Sequence, residues 1–361
     1  MLLVVNAGSS SIKLAVFDAG LTQVARAQIA EIAPGGHRGA LRDGLHQIGV
    51  DLADIAGVAH RVVHGGAGLT QPCRVTPSVL AAIEDCVPLA PLHNPANLVG
   101  LRAVSLLAPD LPQYASFDTA FHATNPDVAV RYAIPAADAA LGIRRYGFHG
   151  LSYASLVAAL PGVSGAALPK RLLAMHLGNG ASLCAILDGR SVATTMGYSP
   201  LDGVSMGTRA GGIDGNAVLR LAQVHGIDGA ARILNFESGL LALGGASDMR
   251  ALHQSGTADA RFAVDHFCYW IVRHSGSMIA AMGGLDGVVF TGGIGENDQG
   301  VRARILDGLR WAGVAYDRAA NRCGAACLHE SGSHVAIWTV PTQEERQIAL
   351  EAYALMGGSL R

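Results

Sequence analysis

The same residue pattern occurs twice in the chain, first in Val5-Asn-Ala-Gly-Ser-Ser-Ser-Ile-Lys-Leu-Ala-Val-Phe17-Asp18 and again, 170 residues later, in Met175-His-Leu-Gly-Asn-Gly-Ala-Ser-Leu-Cys-Ala-Ile-Leu187-Asp188. Each stretch reads as an apolar strand, a turn of small residues, a second apolar strand and an aspartate. In this overlay Gly8 coincides with Gly178, and Asp18 coincides with Asp188. The pattern therefore predicts a β-hairpin in each half of the chain.

Two interpretations of this repetition stay open on the residues alone. Any α/β protein contains several hairpins, so the similarity can be accidental. Alternatively, the chain contains an internal duplication, and each half presents a hairpin turn of free backbone N–H groups. Consecutive N–H groups of this kind bind anions, so two such turns facing each other would hold a polyphosphate from both sides.

Composition and charge narrow the class of protein. At roughly 150 residues per domain, the 361 residues suggest about two domains. The 26 Lys and Arg residues against 28 acidic residues argue against a protein that binds nucleic acid through a basic surface. The start of the chain lacks the pattern of a signal peptide, and the most apolar stretch, 262–283, contains charged residues, which predicts a buried helix and no membrane span. Six cysteines without a Cys-x-x-Cys pair fit free thiols, and we expect a cytoplasmic protein.

Short β-rich runs alternate with longer helical stretches, which predicts an α/β fold. The predicted strands are Leu2–Val5, Ile12–Phe17, Ile55–His64, Tyr114–Asp118, Leu172–His176, Ser182–Leu187, Gly287–Thr291 and Val335–Val340. The predicted helices are Asn94–Leu107, Asp259–Met282, Gly300–Leu309 and Thr342–Met356. Asn94 suits an N-cap before Pro95, and Thr342 with Glu345 fits a capping box.

Seven motifs follow one another along the chain: Asn6-Ala-Gly-Ser-Ser-Ser-Ile-Lys13, His60-Arg-Val-Val-His-Gly-Gly66, Phe117-Asp-Thr-Ala-Phe-His122, Arg145-Tyr-Gly-Phe-His-Gly150, His176-Leu-Gly-Asn-Gly180, Met206-Gly-Thr-Arg209 and Thr291-Gly-Gly-Ile-Gly-Glu-Asn297. From residue 4 to about residue 350, the chain resembles the acetate kinases. The resemblance implies a duplicated two-domain actin-like (ASKHA) fold with an interdomain cleft. It places the substrate and metal lobe at residues 1–146 plus 343–361 and the nucleotide lobe at residues 147–342.

The resemblance implies reversible transfer of the γ-phosphoryl group of ATP to acetate, giving acetyl phosphate and ADP, by direct in-line transfer with Mg²⁺ or, alternatively, Mn²⁺. Acetate is already ionised at neutral pH, so the nucleophile needs no deprotonation. We therefore expect catalysis by positioning and electrostatic stabilisation. The alternatives are a propionate or other short-chain carboxylate kinase, a sugar or polyphosphate kinase of the same fold, and a non-catalytic nucleotide sensor.

Four residues are expected at the reacting groups. Arg61 lies in an apolar strand, where a guanidinium requires a paired anion, and the resemblance implies that it holds the substrate carboxylate. The resemblance also implies that Arg209 stabilises the phosphoryl group in transfer and that His149 donates a hydrogen bond to it. It makes Asp118 catalytic, and because acetate needs no base, we expect Asp118 to orient an arginine or the metal shell. Without the resemblance, Arg61 could form a structural salt bridge, Asp118 could cap a strand end, and His149 could be structural.

The resemblance assigns the remaining site residues as well. Mg²⁺ is assigned to Asn6 and Glu344, although Gln343 replaces the asparagine that the family usually has beside that glutamate. The pocket that limits the size of the acid is assigned to Val63, Leu92, Phe148 and Pro200. The nucleotide is assigned to Lys13, to His176, Leu177, Gly178, Asn179 and Gly180, to Asp248, Met249 and Arg250, and to Gly293, Ile294, Gly295, Glu296 and Asn297.

Other patterns in the sequence give weaker indications of function or assembly. No Walker or complete Rossmann motif occurs in the sequence. His60 and His64 have a metal-like spacing but no acidic partner in sequence, and we do not expect a metal site there. Members of the family are commonly homodimers, and the apolar 262–282 helix is a candidate interface, although a buried core helix gives the same pattern.

The chain contains only two lysines, Lys13 and Lys170, against 24 arginines. Lys13 lies at the first phosphate turn or on the strand that leaves it, whereas Lys170 follows a proline before a strand. Because a compact ammonium and a planar guanidinium bind phosphate differently, we expect Lys13→Arg to lower activity although the charge is kept. Steady-state kinetics with Lys170→Arg as the control test this, and near-wild-type kinetics for Lys13→Arg would contradict it.

Overall fold

The computed structural model describes residues 1–8, 11–33 and 35–357. Ser9 and Ser10 of the first predicted phosphate turn lie outside the described residues. The strands are β1 (Leu2–Ala7), β2 (Ile12–Phe17), β3 (Gln23–Ile29), β4 (Gly57–Val62), β5 (Cys73–Arg74), β6 (Gln113–Phe117), β7 (Arg171–Leu177), β8 (Ala181–Leu187), β9 (Arg190–Thr194), β10 (Gly287–Thr291) and β11 (Ala336–Thr339). All eight strands predicted from the sequence are confirmed, with ends that differ by up to two residues.

Helices fill the segments between the strands. They are α1 (His37–Ile48), α2 (Pro77–Asp85), α3 (Asn94–Leu107), α4 (Asp127–Val130), α5 (Ala136–Ala139), α6 (Gly150–Ser164), α7 (Gly215–Phe236), α8 (Gly239–Gly244), α9 (Met249–Ser255), α10 (Ala258–Met282), α11 (Gly292–Asn297), α12 (Gln299–Gly308), α13 (Arg318–Cys323) and α14 (Glu344–Leu355). Gly226 has non-helical dihedral angles and divides α7 by a kink.

The chain divides into two compact units. One contains residues 1–123, 149–155 and 343–361, and the other contains residues 124–148 and 156–342. The lobes expected from the sequence place residues 124–146 with the first lobe and 149–155 with the second, so the two divisions differ in these segments. The lobe limits themselves stay a prediction.

Each unit contains a sheet with the same strand order. The first sheet runs β3-β2-β1-β4-β6-β5, and the second runs β9-β8-β7-β10-β11. In both sheets the first three strands are antiparallel neighbours, and the next two join in parallel. This equivalence confirms the predicted α/β class with a duplicated topology.

The two hairpins match with a small difference in register. Ala7 pairs with Ile12 in the first hairpin, whereas Leu177 pairs with Ala181 in the second. The second turn is therefore one residue shorter, and the 170-residue overlay is wrong by one position after the turn. The ladder irregularity at Val16/Phe17 has its counterpart at Ala185/Ile186, which agrees with this corrected alignment.

Helices cover both faces of the first sheet, which explains why strand β1 is apolar from Leu2 to Val5. Leu3 and Val5 pack with residues of α1 and α3 on one face, and Leu2 and Val4 pack with residues of α14 on the other. Residues Leu2 to Val5 are at most 1% exposed. The sheet is thus fixed between two apolar layers, and its strand ends are left for chemistry.

The predicted N-terminal caps of two helices are wrong. His93, and not Asn94, is the N-cap residue of α3, because the side chain of Asn94 is buried and bonded to the backbone of His64. The capping box is not formed, since α14 begins at Glu344 after Gln343. The backbone N–H of Thr342 instead donates to Glu296 Oε1.

Other expectations concern burial and cysteines. Helix α10 buries one face along its whole length, which confirms the predicted buried helix. In the described part of the chain, no helix is long and apolar enough to cross a membrane. All six cysteines are free, as predicted.

The start of α6 depends on a glycine. The N–H of Gly150 donates to the carbonyl oxygen of Asp118 at 2.8 Å, and a Cβ at this position would lie 2.2 Å from that oxygen. We expect Gly150→Ala to lower the free energy of unfolding by about 1–3 kcal/mol, because the backbone must move.

Gly162, on the same helix, is the matched control, since a Cβ there meets nothing within 4 Å. Gly162→Ala should leave stability unchanged or raise it by up to about 1 kcal/mol. Denaturant unfolding of both variants measures the difference, and equal stabilities would contradict the expected steric conflict.

Candidate active site

The most prominent charged pair of the first unit joins two neighbouring strand ends. Arg61 is the next-to-last residue of β4, and Asp118 directly follows β6. Arg61 Nε donates to Asp118 Oδ1 at 2.9 Å, and Arg61 Nη2 donates to Asp118 Oδ2 at 2.6 Å. The side chains are 23% and 3% exposed, respectively. This bidentate geometry fixes the plane of the guanidinium.

The charge of Arg61 is maintained by its surroundings. Burial opposes the positive charge, but Asp118 and, after it, Glu344 and Glu345 more than offset this effect, so the pKa of Arg61 is raised above its usual value. The sequence argument that a guanidinium in this strand needs an anion is therefore confirmed, and Asp118 is that anion. The other interpretation from the sequence, a structural salt bridge of Arg61, is satisfied by the same Arg61–Asp118 contact.

Asn6 and Glu344 lie beside this pair. Arg61 Nη1 donates to Asn6 Oδ1 at 3.4 Å, and Asn6 on β1 faces Lys13 on β2 in the hairpin. Burial, and then the charges of Asp118 and Glu345, raise the pKa of Glu344 despite the opposing effect of Arg61. The structure thus brings Asn6, Arg61, Asp118 and Glu344 together at one edge of the sheet.

This group of residues offers hard oxygen ligands. Mg²⁺ prefers a few protein oxygens and keeps several waters. The amide oxygen of Asn6 and the carboxylate of Glu344 fit that requirement, and Glu344 lies where added positive charge would be favourable. Among the described residues, no group of three or more His, Cys, Asp or Glu side chains could hold a metal ion by itself.

His149 is held next to Asp118 by the backbone. His149 has a positive φ of 58°, which is unusual for a residue with a side chain. The following residue, Gly150, donates to the carbonyl oxygen of Asp118, and the carbonyl of His149 accepts from the N–H of Tyr153 at 3.0 Å. Strained backbone of this kind persists where the surroundings fix it, often at functional sites.

The expected pocket residues fall in different units. In the first unit, Val63 is buried and its N–H donates to Asn97 Oδ1, whereas the side chain of Leu92 is exposed. In the second unit, Phe148 is buried, and the carbonyl oxygen of Pro200 accepts from Arg209 Nη1 at 3.3 Å. A common pocket formed by these four residues stays a prediction.

The two histidines with metal-like spacing are buried in the first unit. Burial lowers the pKa of His60 to about 4 and that of His64 to about 4. His64 Nδ1 accepts from the N–H of Gly66 at 2.9 Å. Both rings are therefore buried and neutral at pH 7.

The second unit contains a cavity of about 830 Å³, within the range of small-molecule sites. Eight residues that the sequence assigns to the nucleotide line it: Gly178, Asn179, Asp248, Met249, Arg250, Gly293, Ile294 and Asn297. Five lining residues were missed, namely Ser247, His253, Gln254, Asp298 and Gln299. All five adjoin the predicted segments, so extending each segment by about one helical turn would have found them.

Two glycines, Gly178 and Gly293, line part of this cavity. The N–H of Gly178 donates to the carbonyl oxygen of Gly180 at 3.0 Å within the β7–β8 turn. A Cβ at Gly178 would lie 3.8 Å from the nitrogen of Gly293, and a Cβ at Gly292, where φ is 80°, would lie 2.7 Å from the oxygen of Leu177. The β7–β8 turn and the start of α11 therefore approach each other as bare backbone.

Charged side chains line another part of the cavity. Asp248 accepts from the backbone and side chain of Arg250, and these hydrogen bonds lower the pKa of Asp248 to about 2. His253 Nε2 lies 2.7 Å from Asp298 Oδ2 and joins α9 to the start of α12. The α9 residues and the start of α12 thus give this part of the cavity a polar lining.

The other predicted nucleotide residues do not line the cavity. His176 and Leu177 are on β7, Gly180 is in the turn, and Gly295 is buried in α11. Glu296 Oε1 accepts from the N–H groups of Gly292 and Thr342, so it holds the start of α11. Lys13 belongs to the first unit. Their contacts with a nucleotide stay predictions.

Arg209 lies in a loop tied to the phosphate turn. The N–H of Gly207 donates to the carbonyl oxygen of Asn179 at 3.0 Å, and a Cβ at Gly207 would lie 2.0 Å from Asn179 Oδ1. The N–H of Met206 donates to the carbonyl of Arg209 at 3.1 Å. The arginine is thus fixed relative to the glycine turn of the same unit.

Comparisons with known proteins agree with this geometry. The model of the acetokinase family matches residues 37–350. The acetate kinase of Methylocella silvestris is 40% identical, with 97% of this chain and 96% of that protein covered.

Solved structures give the same result. The chain matches an acetate kinase from Porphyromonas gingivalis with a TM-score of 0.90 at 33% identity, over 98% of this chain and 99% of that one. It matches a propionate kinase from Francisella tularensis subsp. tularensis with a TM-score of 0.90 at 33% identity, over 97% and 98%. The predicted fold class is confirmed, and the chain belongs to the acetokinase family.

Proposed function

We propose that this protein is an acetate kinase that transfers the γ-phosphoryl group of ATP reversibly to acetate. The observation that carries the proposal is the buried Arg61–Asp118 pair with Asn6 and Glu344 beside it. The family and its acetate kinase relatives support the same activity. ATP and ADP are the co-substrates.

Arg61 is proposed to hold the carboxylate of acetate. A guanidinium has five N–H groups. Two of them bond Asp118 and one lies near Asn6, which leaves two for a bound anion. Asp118 fixes the guanidinium, because acetate is already ionised and requires no general base. The repulsion between acetate and the phosphates falls when both anions face fixed positive charge.

Asn6 and Glu344 are proposed to hold Mg²⁺, with Mn²⁺ as an alternative. The metal supplies charge neutralisation at the β- and γ-phosphates. Glu344 is suited to this role because burial and its acidic neighbours raise its pKa, an effect that nearby positive charge opposes.

The cavity of the second unit is proposed to bind ATP. The bare backbone at Gly178 and Gly293 suits the phosphates, and the polar wall that includes Asp248 and Arg250 suits the adenosine end. His149 and Arg209 are proposed to donate hydrogen bonds to the phosphoryl group in transfer. No covalent intermediate on the protein is needed, since positioning and charge stabilisation suffice.

The acid is proposed to be short. Val63, Leu92, Phe148 and Pro200 limit its length, and one further methylene gains only about 0.8 kcal/mol of burial, so longer acids are excluded by steric conflict. One structural relative is a propionate kinase, which supports propionate as a usable substrate. We expect acetate to be used best, propionate to be usable and butyrate to be used poorly. The hydroxamate assay with ATP, Mg²⁺ and the three acids measures this order. A kcat/KM for butyrate equal to that for acetate would contradict the proposed pocket, and no product with any acid would contradict the function.

The role of Arg61 is tested by substitution. We expect Arg61→Ala to lower kcat/KM for acetate by about 100-fold or more, because a fixed charge opposite the anion is lost. The KM for ATP should change little. Arg131→Ala is the matched control, since Arg131 pairs with Asp127 at 3.3 Å on the exposed surface.

The result also separates the rival class. A kinase that phosphorylates a hydroxyl group needs a true base. Such an enzyme would keep its activity in Arg61→Ala and lose most of it in Asp118→Asn.

The protein is further proposed to form homodimers through α7, with the cytoplasm as its location. Helix α10, the interface candidate of the sequence analysis, is largely a core helix. By contrast, residues 212–229 contain no buried residue, and Leu219 and Ile227 of α7 are 61% and 82% exposed. Exposed apolar residues clustered on one helix are typical of interaction sites.

Light scattering at micromolar concentration tests the dimer. We expect the wild-type protein to be dimeric and Ile227→Glu to be monomeric, because a charge would be buried at the interface. Val128→Glu on α4 is the control, since Val128 is 91% exposed. A wild-type monomer, or an Ile227→Glu dimer as tight as the wild type, would contradict the proposed interface.

A further inference from the structure

Arg61 pairs with Ser116 of β6, but the ladder between β4 and β1 stops before it. The parallel ladder between β1 and β4 runs from Leu2–Gly57 to Val5–His60, yet both strands continue, to Ala7 and Val62. Asn6 and Arg61 lie in this last part, beyond the ladder. The end of β1 still pairs with β2 and the end of β4 still pairs with β6, but the two ends do not pair with each other.

One buried side chain connects these ends. Asn97 Nδ2 donates to the carbonyl oxygen of Ala7 at 2.7 Å, and Asn97 Oδ1 accepts from the N–H of Val63 at 3.0 Å. Asn97 is 4% exposed and lies in the first turn of α3. The amide of Asn97 thus acts as a neighbouring strand would. It donates to Ala7, the residue after Asn6, and accepts from Val63, two positions after Arg61.

The helix is placed to make this contact. A Cβ at Gly100, one turn after Asn97, would lie 3.1 Å from the Cβ of Ala7, so the glycine permits the close approach. One turn before, Asn94 bonds both the N–H and the carbonyl of His64, at 3.1 and 3.0 Å. Two buried amides of α3 therefore take the place of a strand along 63–64 and at Ala7.

We propose that Asn97 is a positioning residue, which sets the distance between the Arg61 guanidinium and Asn6 without touching substrate. The inference rests on the proposed function, because it takes Arg61 as the group that binds the acid. Buried backbone N–H and C=O groups require partners. If the amide is removed, the strand ends must move or admit water to satisfy Ala7 and Val63, and the direction of the Arg61 side chain changes with its backbone.

The test compares substrates. We expect Asn97→Ala to raise the KM for acetate about tenfold or more, since small misplacements of a binding group are costly, while the KM for ATP stays within about twofold. Asn97→Ser, which keeps a small donor and acceptor, should show a weaker effect in the same direction. It also keeps the test usable if Asn97→Ala does not fold.

A double-mutant cycle with Arg61→Ala separates positioning from general stability. If Asn97 acts through Arg61, Asn97→Ala should change kcat/KM for acetate by less than about twofold once Arg61 is already alanine, because coupled residues are not additive. Ser105→Ala is the control, since Ser105 lies on the same helix and bonds the carbonyl of Leu101 and the side chain of Gln113. This variant should retain wild-type KM values.

The outcomes are distinguishable. Additive losses in both backgrounds, or equal rises in the KM for acetate and for ATP, overturn the positioning role while Arg61→Ala still shows the loss expected of the proposed function. If Arg61→Ala leaves acetate kinetics unchanged, the proposed function fails and the inference fails with it. A strong, acetate-specific and non-additive effect supports both.

Discussion

The pairing of Arg61 with Asp118 is the interaction around which the first unit is arranged. A guanidinium that is 23% exposed at the edge of an apolar sheet requires an anion, and parallel strands supply one because their carboxyl ends meet at the same edge. Strand β4 carries the arginine, and the residue after β6 carries the aspartate. Once the pair is formed, the plane of the Arg61 guanidinium is fixed, and two of its N–H groups are not used by Asp118 or Asn6. A lysine ammonium would not provide this planar geometry.

The duplicated topology is used differently in the two units. In the second unit the hairpin turn is one residue shorter than in the first. Its Gly178 approaches Gly293, at the start of α11, as bare backbone. In the first unit the corresponding edge carries side chains, with Asn6 facing Lys13 in the hairpin. The turn region of the second unit is thus mainly bare backbone, whereas the corresponding edge of the first unit carries charged and polar side chains. The same strand order supports both because the sheets fix only where the strands end.

Local patterns predicted much of this, since periodicity and glycine turns depend on neighbours in sequence. The strands and the buried α10 follow from apolar runs alone. The failures have a common cause, which is a side chain that bonds a distant backbone group. Asn94 was expected to cap its own helix but holds His64, and Thr342 was expected to cap α14 but its N–H donates to Glu296. Asn97 was missed altogether, because its partners, Ala7 and Val63, are 90 and 34 residues away.

The balance of charge at the first-unit edge favours the binding of a cation there. Asp118, Glu344 and Glu345 act on Arg61, and Lys13 acts on Glu344, so acidic side chains outnumber basic ones among these five. The raised pKa of Glu344 is the consequence of this excess and of burial. As the pH falls, protonation of Glu344 would remove one negative charge from this group. A metal ion would offset the excess of negative charge only while the carboxylate of Glu344 is ionised. A metal bound at Glu344, as proposed above, would therefore compete with a proton. Since the pKa is raised, this competition begins at a higher pH than an exposed glutamate would show.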